Sequence, residues 1–344
     1  MSDSKTLMVS PSGSFYGSEQ VLYSHLDYTK KSYTVFVPFG SFFQKKLKRQ
    51  HKHDVCGFSN IKLLYIKIFL KLLFAGYKTL YLNEGGHIKY AKLIAKLLPF
   101  VYVVVHIRLV EDTGSNRLDK LPKNLKLISI SNYIQGLLLP EYTSIKIVDP
   151  LDVSNVFKQR FKFNKQCIRI GIMGRVSLSK GLYNYEKLFN HYFSLQDLKN
   201  IQFIFFGDVV DKEKEALEFF DKYSGLDFPQ IEFKGFVEDQ EKIFSSIDAV
   251  LHLNEKEPLG RIGLESWARG IPFVCFNAGG CKEINQTLEM ERFSLSLDTN
   301  WEEEVIDLIS SLDNFSSSEQ DTARLNLQSY FSIDRYVEQL EKQF

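Results

Sequence analysis

Cysteine is scarce in this 344-residue chain: Cys56, Cys167, Cys275 and Cys281 are scattered, with no Cys-x-x-Cys pair and no Cys/His spacing of the zinc-binding kind. A disulfide framework is thereby excluded, and reduced thiols point to the cytosol. No run of 18 or more apolar residues is present, so no segment is suited to span a bilayer as a helix. The first 20 residues are polar and lack the basic-then-apolar order of a secretory leader. No Asp-x-Asp occurs to hold Mn²⁺ or Mg²⁺, and there is neither an internal repeat nor a low-complexity tract. What remains, 44% hydrophobic and 25% charged, is the composition of a globular protein. Its length exceeds one ordinary core and suggests two domains of about 150 residues each.

The net charge of +1 hides a split. Residues 1–150 carry 21 Lys and Arg against 10 Asp and Glu, whereas residues 151–344 carry 22 against 32. A basic first half suits an anionic partner such as a membrane surface, a phosphorylated lipid or nucleic acid; it also suits pairing with its acidic neighbour. No recognition motif accompanies the charge, which argues against nucleic acid.

Short β-branched or aromatic runs alternate with helical patterns, the signature of α/β domains with parallel sheets. Strands are predicted at 6–10, 33–39, 79–83, 100–106, 125–131 and 144–150, then at 168–175, 201–208, 231–236, 249–254 and 273–277. Helices are predicted at 18–31, 61–74, 89–98 and 131–139, then at 180–195, 211–224, 238–246, 262–270 and 301–311. The stretch 312–321 reads as a loop before the last helices. The polar segment 151–166 reads as a linker between domains at 1–150 and 167–330, with a closing helix at 331–344.

Two stretches carry chemistry. GRVSLSKG, 174–181, follows a strand and enters a helix, and Arg175 and Lys180 flank its glycine turn. Backbone can approach a ligand there, and a forked guanidinium and a point charge could meet a phosphate together. EKEPLGRIGLESWARGIPFVCFNAGGCKEI, 255–284, sets Glu257 in a turn and Glu265 in the first turns of a helix. Parallel sheets bind ligands beyond the carboxyl ends of their strands, where Glu265 could accept hydrogen bonds from vicinal hydroxyls such as a ribose. Taken alone, Glu257 reads as a solvated loop carboxylate and Glu265 as a helix-start carboxylate favoured by the dipole.

Together these stretches resemble the retaining glycosyltransferases of glycosyltransferase family 4, of the bacterial O-antigen and capsule type. The family's pattern resembles EPFGLxxLEAMAxGxPVVxxxxGGxxEI, matched here through Glu257, Pro258, Gly260, Glu265, Gly270, Pro272, Gly279, Gly280 and Glu283. GRVSLSKG is similar to GRLxxxKG, and Gly235-Phe236 to the pair near the nucleotide base. The resemblance covers most of 168–344; in the first half Gly17-Ser18-Glu19 stands where the family has GGAE, and His106 where it has a strand-end histidine.

The resemblance implies a GT-B fold, two Rossmann-like α/β domains whose parallel sheets face each other across a cleft. It implies retaining transfer of a sugar from a nucleotide-diphosphate donor to a saccharide acceptor, without a metal or other cofactor. Glu265 would hold the ribose, and Glu257 a donor-sugar hydroxyl together with amides around Gly260 and Arg261. Arg175 and Lys180 would stabilise the departing diphosphate, Gly17 would approach it, Gly235 and Phe236 would meet the base, and His106 would face the sugar. Arg261 and Leu259 depart from the usual apolar residue and Phe. A catalytically silent sugar- or lipid-binding partner, or an epimerase on the same fold, would share the scaffold.

In the first half, Lys45, Lys46, Lys48, Arg49 and Lys52 precede an apolar run bearing Lys62, Lys67, Lys71 and Lys78. Residues 61–74 read as a basic amphipathic helix able to lie on anionic lipid, or as a domain helix with its lysines in water. The first reading implies a peripheral enzyme at the cytoplasmic face of the cell membrane, extending a lipid-linked saccharide in surface polysaccharide assembly.

Overall fold

The computed structural model describes residues 5–151, 167–195, 200–297 and 300–344. Two compact units divide the chain: Met1–Asp152 with Phe331–Phe344, and Val153–Tyr330. All but the first residue of the expected linker lies outside the described residues.

The first unit holds seven strands: β1 (Lys5–Val9), β2 (Thr34–Pro38), β3 (Asp54–Phe58), β4 (Tyr77–Leu82), β5 (Tyr102–Ile107), β6 (Leu125–Ser129) and β7 (Ser144–Lys146). They form one sheet in the order 3-2-1-4-5-6-7, and every pairing is parallel. Central β1 sets Met8 opposite Val35 on one side and Tyr81 on the other. Leu7, Met8 and Val9 are fully buried, because helices cover both faces of a parallel sheet and its strands need apolar residues in succession.

The second unit holds β8 (Ile168–Met173), β9 (Ile201–Phe206), β10 (Ile231–Phe233), β11 (Ala249–His252), β12 (Phe273–Phe276) and β13 (Ser294–Leu295). Their order is 10-9-8-11-12-13, again parallel throughout. Both sheets are doubly wound, and in each the order reverses beside the first strand, the crevice position for ligands in such sheets.

Several elements differ from the sequence expectation, and the four longest are these. A helix at Phe42–Lys48 and edge strand β3 lie where only a basic cluster was expected. Strand β3 pairs on one side alone and is half-exposed, so its DVCGF lacks the apolar run that marks a central strand. A helix begins at the glycine pair itself, Gly279–Thr287. Ser317–Tyr330 is helical where 312–321 read as a loop. Ser316 Oγ accepts from Glu319 N at 3.2 Å and the Glu319 carboxylate accepts from Ser316 N at 2.8 Å, a capping box that the S-x-x-E spacing encodes.

The C-terminal helix Ile333–Glu341 packs on Gly17–Tyr28 in the first unit, with Ile333, Tyr336 and Leu340 in the core beside Leu22, Leu26 and Tyr81. It also closes a buried polar network. Arg108 pairs with Asp149, and donates to Asn83 O at 2.9 Å, His106 Nδ1 at 3.2 Å and Tyr336 OH at 3.3 Å. An ion pair this deep is tolerable because nearly every donor of the fork has an acceptor.

Candidate functional site

Arg175, Lys180, Glu257 and Glu265 of the second unit follow the carboxyl ends of its strands β8 and β11. β8 delivers Gly174 and Arg175; the loop then makes a short turn at Leu178–Lys180 and enters the helix Leu182–Ser194 through Gly181. Gly181 has φ +81°, and a Cβ there would lie 1.9 Å from the Leu253 carbonyl oxygen, so only glycine lets this loop touch the end of β11. That contact brings Lys180 to Glu257.

Glu257 lies in the turn after β11, gripped by several donors. Lys180 Nζ lies 2.9 Å from Oε2 and 3.2 Å from Oε1. His252 Nε2 is 3.2 Å, and Asn254 Nδ2 2.8 Å, from Oε2. Burial alone would raise the carboxyl; the His252 and Lys180 contacts override it and hold Glu257 well below the usual carboxylate range. Its Oε2 is thus saturated, while Oε1 has one donor and a lone pair to offer. The glycine pair fixes the turn from behind: Gly280 N donates to Glu257 O at 2.7 Å, and a Cβ on Gly280 would lie 2.4 Å from Pro258 O.

Glu265 stands in the second turn of the helix Arg261–Ala268 and is 8% exposed. Gln240 Nε2 donates to Oε2 at 3.3 Å, and Arg261 Nη2 is 3.8 Å from Oε1. Arg269 turns away, to the Glu265 backbone oxygen at 2.9 Å and to Glu241 at 2.7 Å. Burial raises the Glu265 carboxyl, and Arg261 and Arg269 offset only part of that.

Two further loops complete the rim. After β10, Gly235 adopts φ +64° and Phe236 N donates to Asp208 Oδ1 at 3.0 Å, presenting a ring that is 70% exposed. An aromatic face left in water on a fixed turn is suited to stack a planar ring. The Arg175 guanidinium is exposed and has no hydrogen-bond or ion-pair partner among the described residues. Gly260, in the left-handed region at φ +84°, leads directly into the N-terminus of the helix that carries Arg261 and Glu265.

The structure therefore sets Arg175, Lys180, Gly235, Phe236, Glu257, Gly260, Arg261 and Glu265 along the rim of one sheet. Gly17 and His106 belong to the other unit. Gly17 opens its helix, next to Ser18, whose hydroxyl bonds Glu84, and Glu19, which caps the helix through Tyr16 N at 3.0 Å. His106, the penultimate residue of β5, is fully buried, its Nδ1 2.9 Å from Tyr81 OH, and burial and Arg108 together hold its pKa well below the ordinary value. His252, Asn254 and Gln240 were not foreseen; the only signal for the first two is polarity at the end of an apolar strand in AVLHLN. Among the described residues no group of three or more His, Cys, Asp or Glu is arranged to hold a metal ion.

Residues 154–314 match the family model described as glycosyl transferases group 1. No curated protein matches the sequence. Among solved structures, HepE of Anabaena in complex with UDP and glucose superposes with a TM-score of 0.76 at 18% identity, covering 98% of each chain. A glycosyltransferase from Rickettsia africae superposes at 0.78 with 14% identity, over 99% of this chain and 98% of that one. The lipopolysaccharide outer core galactosyltransferase WaaB does so at 0.69 with 13% identity, over 98% of each. The chain has the GT-B fold, and its match to glycosyl transferases group 1 falls on the unit that carries the charged rim.

Proposed function

We propose that the chain is a retaining glycosyltransferase that moves a sugar from a nucleotide-diphosphate donor to a saccharide acceptor. The observation that carries this reading is the set of groups gathered on one rim: an exposed aromatic, an unpaired guanidinium, a buried carboxylate with a single amide donor and a second carboxylate held in its ionised form. The base stacks on Phe236 over Gly235. The ribose hydroxyls donate to Glu265, taking the place of the Gln240 amide. The diphosphate lies against Arg175 and the opening amides of the helix after Gly260, where the dipole favours an anion. Arg261 stands on the same turn. A donor-sugar hydroxyl donates to Oε1 of Glu257.

As the glycosidic bond breaks, charge grows on the departing diphosphate. Arg175, Lys180 and the helix-start amides stabilise it in place, and this requires no metal. The departing phosphate assists in deprotonating the acceptor hydroxyl on the face it leaves, which retains the anomeric configuration. Gly17 and His106, from the first unit, are proposed as donor-side contacts. His106 is fully buried, with Nδ1 engaged by Tyr81 and Arg108, so this contact requires that its buried Nε2 edge first be uncovered.

HepE of Anabaena was crystallised with UDP-glucose, which makes UDP-sugars the first donors to try. The acceptor is proposed to be a lipid-linked saccharide, extended at the cytoplasmic membrane face during surface polysaccharide assembly; the basic balance of residues 1–150 supports an anionic surface there. Thermal-shift titration with UDP-, GDP-, ADP- and dTDP-sugars tests the donor reading. Stabilisation by one nucleotide class, lost in both Glu265→Ala and Lys180→Ala, is expected; equal stabilisation of both variants would overturn the donor-site assignment.

A further inference from the structure

The helix Ile61–Phe74, IKLLYIKIFLKLLF, is capped by Asn60, whose side chain accepts from Lys62 N at 2.9 Å and Leu63 N at 3.2 Å. It leaves the carboxyl end of β3 and packs back over the sheet through Leu64, Tyr65, Ile68 and Leu72. A lysine-rich solvent face was one sequence expectation, yet the face turned outward is mostly apolar. Leu63 is 64% exposed, Ile66 56%, Leu70 48% and Phe74 77%. Positions 63, 66, 70 and 73–74 recur every three or four residues, so these side chains form one continuous stripe.

A helix apolar on both faces is ordinarily covered on both. Lys62 and Lys67 are exposed beside the stripe, and no acidic residue occurs between Asp54 and Glu84. A second copy docking by the same face would set these lysines against each other, because a two-fold interface is self-complementary. An apolar stripe edged with cations and free of anions matches an anionic bilayer: acyl chains take the leucines, and headgroups take the lysines.

We infer that the outward face of Ile61–Phe74 inserts into the headgroup–acyl boundary of an anionic membrane. Leu63, Ile66, Leu70 and Phe74 enter the apolar zone, and Lys62, Lys67 and Lys71 bind lipid phosphates at its edge. The helix starts at the carboxyl edge of the first unit's sheet, the edge that carries Glu84 and the Gly17 loop. Insertion thus brings one ligand-binding rim of a doubly wound sheet to the surface where a lipid-linked acceptor lies, and it is only on this point that the inference rests on the reading above.

Co-sedimentation of the full chain with phosphatidylcholine vesicles, with and without phosphatidylglycerol, tests it. Binding is expected to need phosphatidylglycerol and to weaken with salt without vanishing. The triple variant Leu63→Ser, Ile66→Ser, Leu70→Ser lowers partitioning about tenfold or more, because three apolar side chains leave the bilayer. Lys62→Gln and Lys67→Gln lower it about fivefold each, the equivalent of about 1 kcal/mol per lysine near an anionic surface. All these positions are exposed, so each variant keeps its fold and its nucleotide-induced thermal shift. Absence of vesicle binding, or binding that the triple variant leaves unchanged, would overturn the inference. So would a solution dimer, seen by light scattering, that the triple variant dissolves. A thermal shift missing from every variant and from the parent would instead count against the donor reading and leave this one standing.

Discussion

The turn that holds Glu257 and the helix that holds Glu265 follow the same strand, yet they treat a carboxylate in opposite ways. In the turn, a lysine, a histidine and an asparagine converge on Glu257 and keep it ionised despite burial. On the helix, Glu265 is as deeply placed but has one amide donor and a guanidinium at 3.8 Å, and its pKa is raised. Burial is common to both; the number and charge of the donors sets the direction. A saturated carboxylate is a fixed charge with a single free acceptor position. An under-satisfied one is a vacancy that two hydroxyls would fill. The pair thus differs in charge and in free acceptor positions, as the proposed sugar contact of Glu257 and the proposed ribose contact of Glu265 require.

The largest expected effect comes from removing the fixed charge. Glu257→Ala should lower kcat about 100- to 1,000-fold in a donor-sugar turnover assay, the range for deleting a preorganised transition-state contact. Lys180 is released by the same change, so nucleotide affinity should hold or improve. Glu265→Ala should act the other way round: nucleotide Kd rises about 10- to 100-fold by calorimetry, as charge-assisted hydrogen bonds to two hydroxyls are lost.

The acidity contrast gives a pH experiment. Glu265 is raised above 4.5, so its ionised form, and with it the proposed ribose contact, is lost as pH falls through a window opening above that value. Because the folded state holds this proton more tightly than the unfolded one, Glu265 also costs stability as pH rises through that window. Glu257 is lowered and stays ionised throughout it. Nucleotide binding should therefore weaken on the acid side in the parent and in Glu257→Gln, and be flat there in Glu265→Gln, when measured by calorimetry across the window. His252→Ala should raise donor KM about tenfold by loosening Glu257, with His252→Gln restoring most of it, in keeping with the worth of one hydrogen bond to a charged group. Smallest is Arg261→Leu, expected to change nucleotide Kd about two- to fivefold while moving the acid limb upward, since a partly exposed ion pair contributes little.

The positions of the two carboxylates are legible in the sequence, but the contrast between them is not. Glycine-bearing turns and charged residues at fixed offsets locate Arg175, Lys180, Glu257 and Glu265, because a turn's backbone constraints are written in the residues themselves. His252, Asn254 and Gln240 were not legible: a polar residue closing an apolar strand has no periodicity, and its partner is chosen by loops far away in the chain. Strand β3 escaped because an edge strand need not be apolar. The helix Ile61–Phe74 was found with its bounds, but not its exposed face, since a helix apolar all round does not reveal which side meets the sheet.

The most direct test of the two-carboxylate account is calorimetric titration of UDP into the parent, Glu257→Ala and Glu265→Ala. UDP contains a ribose but no donor sugar, so the account predicts a lost or much weakened affinity in Glu265→Ala and an unchanged or tighter one in Glu257→Ala. Equal weakening in the two variants, or loss confined to Glu257→Ala, would contradict it.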